Sequence, residues 1–514
     1  MQILALSIQT IIRYSVWMYR TVIFILKKYL ILIALFGISL YCLVNIPKWA
    51  HMKKLPSPVP ETPDSIEYDE QLEEIPPSSN FREFIYIKSV FRVRDDEIRI
   101  SIAKSYNNSN PLYYSYGGRG GVVKQECHLP HCPDDFSPPC DINGYIGFIK
   151  NLTKLDNYPF ISLSSTNNFT MKIAITDVRP PESISYKHQL GVCIQPIYLM
   201  TDYTLFIQFF EYWLSEGATK FYIYWESFTP EVQNIIEFYQ KTSEADIELI
   251  NWSKLPSHPD ADEDLSLNPN SFWFRLEVFL GIFDCMHMAR YNVKYVAQSD
   301  LDEIFFVRNM SLLSYLEEMN EKNPEMVDLQ FLSRKVHMKT QLYPSNSNIS
   351  RFSFKPFENF SVDRKPFKKP LYTKMIHRPE RDLHVHIHRS NLPEFIPGKG
   401  EERYKHINAD PIKASVWHFR RLKDYFRNFG TYNSTELEAK SKQWDNSFQQ
   451  RLRTKVGKLW RNYGPTLGLK LEKCRQKQND NRFKACHNLL ACEKQISEME
   501  EVDWITARNS WYFV

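Results

Sequence analysis

The 514-residue sequence predicts a mixed α/β fold with a largely parallel sheet, preceded by a small β-rich module and an N-terminal transmembrane helix. From about residue 192, apolar strand-like runs alternate with amphipathic helix-like runs, which is the pattern of parallel α/β sheets. Residues 81–186 hold short alternating runs separated by turn-rich pieces, which indicate β-strands. Near the start, an apolar run free of charge is long enough to cross a bilayer.

The N-terminal part predicts a membrane anchor. Residues 1–28 would form a cytoplasmic tail, and residues 29–46, YLILIALFGISLYCLVNI, a transmembrane signal-anchor without any charged side chain. A helix of that length extends roughly 27 Å, close to the thickness of the bilayer core. Basic residues flank the run on both sides, so their balance favours a cytoplasmic N-terminus only slightly. A cleaved signal peptide is the alternative, but no small-residue cleavage site follows the apolar run.

The chain beyond the predicted anchor has sequence features that are typical of proteins in the lumen of the secretory pathway. Residues 47–80 are rich in proline and predict an extended stem. Eight N-x-S/T sequons and eight of the nine cysteines follow the predicted anchor, and an even number of cysteines suits disulfides. In CHLPHC, Cys127 and Cys132 resemble a metal-binding knot, but a disulfide is the better interpretation in an oxidising compartment.

The α/β part is predicted to span residues 187–430, followed by a helical, cysteine-containing tail over residues 431–514. In chain order its predicted elements are strand VCIQPIYL, helix YTLFIQFFEYWLSEG, strand KFYIYW, helix PEVQNIIEFYQKT, strand IELINW, helix SFWFRLEVFLGIFDCMHMAR and the strand and turn of VKYVAQSDLDEIFF. A net charge of only +4, with scattered basic residues, predicts no nucleic-acid partner. Phosphate-binding G-x-x-x-x-G-K-[ST] and dinucleotide-binding G-x-G-x-x-G sequences are missing, which disfavours an ATPase or a dehydrogenase.

The predicted strand VKYVAQ ends in three acids, Asp300, Asp302 and Glu303. Ligands of open α/β sheets bind just beyond the carboxyl ends of strands. Two carboxylates that converge there repel each other, and a divalent cation removes that repulsion while leaving coordination positions for phosphate oxygens. The turn therefore suits a nucleotide diphosphate bound through Mn²⁺ or Mg²⁺. The alternative is a strand end with solvated acids, or a helix N-cap.

Five pieces of the chain together resemble glycosyltransferase family 92, over about residues 192–420: VCIQPIY, EYWLSEGATKFYIYWES, YVAQSDLDEIFF, KMIHRPE and VWHFRR. The resemblance implies a GT-A fold for residues 187–430, a nucleotide-sugar donor and a divalent metal. It further implies inverting transfer of galactose from UDP-galactose onto a glycan or glycoprotein acceptor. The implied location is the Golgi membrane, as a single-pass type II protein with a lumenal catalytic domain.

The same resemblance implies roles for the three acids. Asp302 would be the principal metal ligand, and Asp300 would reach the donor ribose, or the metal through water. Glu303 would complete the D-x-D-E pattern and either structure the turn or shape the acceptor side. The family commonly has HYR where this chain has His418, Phe419 and Arg420, a change that leaves a metal-binding role for the histidine open.

Histidines and basic residues supply further candidates. In LHVHIHR, His384, His386 and His388 recur at period two and would share one face of a strand, so a zinc site is one hypothesis. A donor-binding metal needs a single additional ligand, for which His388 or His418 is favoured. The alternative for each is an ordinary hydrogen-bonded histidine.

Lys374 and Arg378 are donor-binding candidates, since positive charge there would stabilise the leaving diphosphate; the alternative is an ordinary solvated face. Inverting transfer also needs a general base, for which Glu303, Glu380 and Asp382 stay open. Two other functions compete with the transferase: a lumenal metal-dependent phosphoesterase, and a non-catalytic lumenal relative that binds glycans.

Overall fold

The computed structural model describes most of the chain after residue 79. The described residues are 80–133, 140–153, 157–166, 170–262, 264–338, 349, 352–358, 360–367, 373–419, 431–432, 434–453, 467, 470–471, 473–474, 477, 486, 489–497 and 502–514. The predicted tail and signal-anchor, and nearly all of the predicted stem, lie outside these residues. Among the helices that are described, none is both long and apolar enough to span a membrane.

Residues 80–186 form an antiparallel sheet that the C-terminus completes. Its strands are β1 (Ile85–Arg94), β2 (Glu97–Ser105), β3 (Tyr113–Tyr116), β4 (Arg119–Val122), β5 (Lys124–Cys127), β6 (Ile142–Lys150), β7 (Phe160–Ser164), β8 (Thr170–Asp177) and β24 (Tyr512–Phe513). Their order is β4-β3-β7-β8-β1-β2-β6-β5, with β24 added to β1. All pairs are antiparallel except β1 with β8.

The strand at the chain end differs from the helical tail that the sequence predicts. On β1, strand β8 pairs with Val90–Arg92 in the second half of the strand. The same edge of β1 is therefore open in its first half, where Tyr512 and Phe513 pair. Val514 and Ile85 exchange two backbone hydrogen bonds of 2.9 and 3.0 Å beside this pair. An open strand edge is a site for further pairing, so a distant segment can take it regardless of its local helical pattern.

A second, mixed sheet forms the α/β part. Its strands, and two small two-stranded sheets beside it, are β9 (His188–Ile197), β10 (Lys220–Trp225), β11 (Ser227–Phe228), β12 (Asp246–Asn251), β13 (Val293–Gln298), β14 (Glu303–Val307), β15 (Met326–Met338), β16 (Phe360–Asp363), β17 (Thr373–His377), β18 (Asp382–His386), β19 (Arg389–Pro393), β20 (Lys405–Asn408), β21 (Ala414–His418), β22 (Thr431–Tyr432) and β23 (Ile505–Thr506). The helices are α1 (Tyr203–Ser215), α2 (Pro230–Thr242), α3 (Val278–Ala289), α4 (Leu312–Lys322), α5 (Thr435–Leu452) and α6 (Leu489–Ser497).

The main sheet runs β12-β10-β9-β13-β17-β15-β16-β22, and β14, β20 and β21 join it off this path. Strands β12, β10, β9 and β13 are parallel, as predicted, because helices α1, α2 and α3 return the chain between them. From β17 onward the neighbouring strands are antiparallel. The largely parallel sheet predicted from the sequence is therefore correct only for the first half of this sheet. The expectation of a mixed α/β fold is confirmed.

Two helices begin and end where the sequence indicates. Helix α1 has Asp202 as its N-cap, whose side chain accepts the Thr204 backbone N–H at 3.0 Å, and it stops just before Gly217 at φ 90°. Helix α2 begins with Pro230 in its first position. Both helices bury their apolar faces against the core formed with β9, β10 and β13.

Helix α3 begins seven residues later than the sequence pattern predicts. Arg275 and Glu277 adopt left-handed backbone angles, φ 47° and 53°, which interrupt the helix before Val278. The preceding Trp273 instead forms a backbone bridge with Ile142 and packs its ring 5.2 Å from that of Trp511. These tertiary contacts therefore override the local helical pattern.

A buried ionic cluster joins the two sheets. Glu394 accepts hydrogen bonds from Arg94 and Arg99 of the first sheet, at 2.6 and 2.7 Å, and from Arg290 after α3 at 3.3 Å. Burial alone would raise the pKa of Glu394, but the arginines, Arg99 foremost, outweigh it and hold the pKa well below its usual range. The first sheet is thus fastened to the α/β part by charge as well as by apolar packing.

We expect Glu394→Gln to lower the free energy of unfolding by about 3 kcal/mol, because the buried Arg290 loses its counter-charge and the buried Arg99 keeps only that of Glu97. Because the folded pKa of Glu394 is lowered, its contribution is complete above about pH 4.3, the ordinary glutamate value, and is lost as the pH falls below it. Urea unfolding at pH 7 and pH 3.5 measures both effects. The exposed Glu401→Gln should leave stability unchanged, and an equally stable Glu394→Gln protein would show that the cluster contributes little.

Candidate active site

The three acids occupy a tight turn between β13 and β14. The backbone N–H of Glu303 donates to the carbonyl of Asp300 at 3.2 Å, and the backbone N–H of Asp300 donates to the Glu303 carboxylate, also at 3.2 Å. The side chains of Asp300 and Asp302 keep 30% and 29% of their surface exposed, whereas that of Glu303 is buried. The turn thus presents two acids outward and holds the third underneath.

The apolar residues after the turn fix it to the core. Phe305 is tied to helix α1 through the hydroxyl of Tyr212, which donates to its carbonyl and accepts its backbone N–H, each at 2.9 Å. Phe306 stacks on Trp417 of β21, with ring centroids 3.9 Å apart. The return of the sequence to Ile-Phe-Phe after the acids is therefore what anchors the carboxylates in place.

Lys374 supplies the positive charge that these acids require. Its ammonium lies 2.9 Å from a carboxylate oxygen of Asp300 and 3.0 Å from one of Glu303, with only 5% of the side chain exposed. Burial opposes the charged form of Asp300, but Lys374 outweighs it and lowers the pKa of Asp300 to about 2. Burial raises the pKa of Glu303, and Lys374 offsets only part of that rise. Strand β17, which carries Lys374, reaches the turn because it pairs directly with β13.

His418 meets the turn from the opposite strand. It lies across from Glu303 in the antiparallel pair of β14 and β21. Its Nε2 is 3.1 Å from Asp302 Oδ2, and its Nδ1 is 3.5 Å from Glu303 Oε1. The next residue, Phe419, donates its backbone N–H to the Asp302 carbonyl at 2.8 Å and buries its ring 5.1 Å from that of Phe357. The position where the family commonly has tyrosine thus serves here as a core contact.

His388 also belongs to this cluster. Its Nδ1 is 2.9 Å from the Thr373 carbonyl, which can only accept, so Nδ1 carries the proton and Nε2 the lone pair. Burial, and then the nearby Lys374 ammonium, lower the pKa of His388 to about 4, so the ring is neutral at pH 7. Because Thr373 directly precedes Lys374, the hydrogen bond to the Thr373 carbonyl places His388 beside the lysine that meets the turn. A neutral imidazole of defined tautomer is the form that binds metals.

Buried polar atoms beside the turn lack partners. Within the described residues, Asp300 Oδ1 and both amide atoms of Gln298 are buried without a hydrogen bond. Such atoms are costly unless a ligand or water satisfies them. Gln298 was not singled out from the sequence, although a polar residue ending a buried strand two positions before an acid was a usable signal.

Three predicted site residues lie elsewhere. The guanidinium of Arg378 sits 5.5 Å from the ring centroid of Tyr295, which is five residues, or roughly 16 Å along an extended strand, before Asp300. Arg378 pairs there with Glu380 at 2.7 Å, and Asp382 is hydrogen-bonded to His377 at 2.8 Å. Sequence proximity to Lys374 suggested a shared site, but β17 carries the chain away from the turn.

The three-histidine zinc hypothesis also does not match the structure. His384 is buried, with its Nδ1 3.1 Å from the carbonyl of His128 and its ring stacked on the His128 ring at 6.0 Å. The register of β18 with β19 shifts on both sides of His384, and His388 lies beyond the end of β18, so the period-two face does not persist. In the part of the chain that the structure describes, the three residues do not gather as metal ligands.

The eight cysteines from Cys127 onward pair completely, as Cys127–Cys132, Cys140–Cys486, Cys193–Cys285 and Cys474–Cys492. The expectation of disulfides, including one within CHLPHC, is confirmed. The bond between Cys193 and Cys285 joins β9 to α3 directly behind the turn. The Cys193 carbonyl accepts the Ser299 backbone N–H at 3.5 Å, one residue before Asp300.

Comparison with known proteins identifies the α/β part. The family model of glycosyltransferase family 92 matches residues 188–456, just over half of the chain. No curated protein sequence matches significantly. Among solved structures, the first Ig domain of the mouse polymeric immunoglobulin receptor is similar at 13% identity, covering 20% of this chain and 98% of that domain, with a TM-score of 0.13. A TM-score that low has no bearing on the fold.

We expect Lys374→Met to destabilise the protein by about 3 kcal/mol in metal-free buffer, because it leaves the acids of the turn without their buried counter-charge. Denaturant unfolding in the presence of a chelator measures this loss. The exposed Lys405→Met, which also removes an ion pair, is the matched control and should have no measurable effect. Equal stability of the two variants would contradict the role assigned to Lys374.

Proposed function

Because the chain belongs to glycosyltransferase family 92, we propose that this glycosyltransferase transfers a hexose, galactose from UDP-galactose, to a glycan acceptor with inversion. The observation that carries the proposal is the convergence of the acids of one turn with Lys374 and two histidines beyond the carboxyl end of β13. That edge is where α/β sheets bind nucleotides. Parallel strands β12, β10, β9 and β13 continued by antiparallel strands support a GT-A-like fold for this part.

The residues fit a divalent cation, Mn²⁺ or Mg²⁺, bound with the donor. Asp302 and the neutral His388 would hold it, with Asp300 at the cation through water or at the donor ribose. Carboxylate and imidazole ligands suit Mn²⁺. The buried Oδ1 of Asp300 has no hydrogen bond, so a cation or a donor group of the ligand would satisfy it. When bound, the cation would neutralise charge on the leaving diphosphate.

His418 has a different part in this proposal. Its Nε2 is 3.1 Å from Asp302 Oδ2 and its Nδ1 is 3.5 Å from Glu303 Oε1, so we assign to it the orientation of these acids. Asp302 therefore has one oxygen held by His418 and the other left for the ligand. This arrangement is typical of carboxylate ligands, whose outer oxygen is fixed by a neighbouring donor.

Lys374 is the donor-binding cation of the protein itself. As the bond between the anomeric carbon and the diphosphate breaks, negative charge develops on the departing nucleotide. An ammonium already fixed by two carboxylates stabilises that charge without reorganising first. The proposal does not use Arg378, which is engaged with Glu380 and Tyr186 away from the turn.

Inversion requires that the acceptor hydroxyl attack the anomeric carbon opposite the leaving group and lose its proton to a base. Of the three base candidates, only Glu303 lies at the turn. Its oxygens already contact the Lys374 ammonium and accept the Asp300 backbone N–H. We therefore assign to Glu303 the role of holding the turn in its conformation. Glu380 and Asp382 are bound in their own buried pairs.

Features of the described chain support a Golgi location with the catalytic part in the lumen. The asparagines of the described sequons at Asn107, Asn151, Asn251 and Asn309 are all exposed, as glycosylation requires. Complete disulfide pairing fits an oxidising compartment. Together with the predicted signal-anchor, these features favour a type II Golgi membrane protein.

We expect the full-length protein, purified from eukaryotic cells, to consume UDP-galactose from a panel of UDP- and GDP-sugars in the presence of Mn²⁺, and to stop when the metal is chelated. Asp302→Asn should lower this rate by about 10²–10³-fold, because it removes charge from the donor site. The rate of nucleotide release measures both results. The exposed Asp264→Asn should react as the wild type does.

Unchanged turnover by Asp302→Asn would contradict the assignment of the donor site. The two competing functions give different results in the same assay. A phosphoesterase would hydrolyse simple phosphate esters as well as nucleotide sugars, and a glycan-binding relative would consume no donor although folded.

A further inference from the structure

We propose that Asp328, His377 and Asp382 form a second divalent-cation site, separate from the donor site and suited to Zn²⁺. One potential ligand atom of each residue lies within 4.8 Å of those of the other two, and all three residues are buried. The site goes beyond the proposed transfer reaction and does not depend on it.

Three strands bring these residues together. Asp328 of β15 lies directly opposite His377 of β17 in their antiparallel pair, and Asp382 is the first residue of β18. None of the three side chains is more than marginally exposed. His406 of β20 lies beside Asp328, and 44% of its side chain is exposed, so the cluster adjoins solvent on that side.

The hydrogen bonds within the cluster define which atoms remain for a ligand. His377 Nδ1 is 2.8 Å from Asp382 Oδ2, a carboxylate oxygen that accepts, so Nδ1 carries a proton and Nε2 holds the lone pair of the neutral ring. Asp328 Oδ2 accepts likewise from His406 Nδ1 at 2.8 Å. This is the arrangement of metal-binding histidines and acids, each oriented through its other polar atom.

Two buried acceptors are then left without partners. Within the described residues, His377 Nε2 and Asp328 Oδ1 have no hydrogen bond. Leaving a buried lone pair and a buried carboxylate oxygen unpaired is costly, and a cation satisfies both at once.

The donor set indicates the kind of cation. The imidazole of His377 and the carboxylate of Asp328 suit Zn²⁺ as ligands, with water completing the coordination, while Asp382 orients His377 through its Nδ1. The two buried negative charges of Asp328 and Asp382 call for a divalent ion. Alkaline-earth ions favour sites made of oxygen alone. The ion would tie β15, β17 and β18 together, which is a structural role.

This site is independent of the donor site. Lys374 and His377 are three residues apart on β17, so their side chains project from opposite faces of the strand. A variant of one site should therefore leave metal binding at the other intact.

The test is the metal content of the full-length protein after removal of loose metal, exposure to Zn²⁺ and dialysis. We expect wild type and Asp302→Asn each to retain one tightly bound ion per chain, and His377→Gln and Asp328→Asn to lose it. Asp382→Asn should bind about 10–100-fold more weakly, as expected when the residue that orients a metal-binding histidine is changed. Co²⁺ in place of Zn²⁺ should give visible absorption in wild type that His377→Gln lacks.

Thermal unfolding with a chelator and with Zn²⁺ separates metal loss from misfolding. Zn²⁺ should raise the Tm of wild type and of Asp302→Asn, and leave that of the folded His377→Gln and Asp328→Asn proteins unchanged. Should one of these two variants fail to fold, the other still decides the result. The proposal is overturned if wild type retains no ion and gains no Tm, or if both variants bind Zn²⁺ as tightly as wild type. It is equally overturned if Asp302→Asn alone removes the ion.

Discussion

The contact of the Lys374 ammonium with Asp300 and Glu303 is the interaction on which the site depends. A strand end that buries carboxylates is tolerable only when positive charge meets them. Here that charge arrives from β17, a strand that must therefore lie beside β13, and β21 must then bring His418 to the other side of the turn. The order of the strands at this edge and the charges at the turn therefore both follow from the need to neutralise the carboxylates.

The proposed donor site requires acids that are held firmly before the substrate arrives. Two contacts outside the turn provide that rigidity: the hydroxyl of Tyr212 in α1 is hydrogen-bonded to Phe305 of β14, and the Cys193–Cys285 bond lies behind β13. The Glu394 cluster in turn fastens the first sheet to the α/β part. The β-rich first sheet is thus part of the support of the catalytic domain.

The sequence predicted well what short-range patterns encode. Local periodicity and residue types were enough to predict helix α2, strand β13 and the acids that follow it, because these signals do not depend on the rest of the fold. It predicted poorly what depends on sheet order: Arg378 and Asp382 are close to Lys374 along the chain, yet β17 carries them to its far end. The late start of α3 was not predicted for a similar reason. Trp273 packs against Trp511, which lies more than two hundred residues away in the sequence.

The most direct test of the donor site is a crystal structure of the protein with UDP and Mn²⁺, with anomalous diffraction recorded at the manganese absorption edge. We expect an anomalous peak at the turn, in contact with Asp302 and His388 Nε2 and with the diphosphate of UDP, and Lys374 beside the same diphosphate. UDP bound at the turn without manganese, or manganese bound away from Asp302, would contradict this expectation.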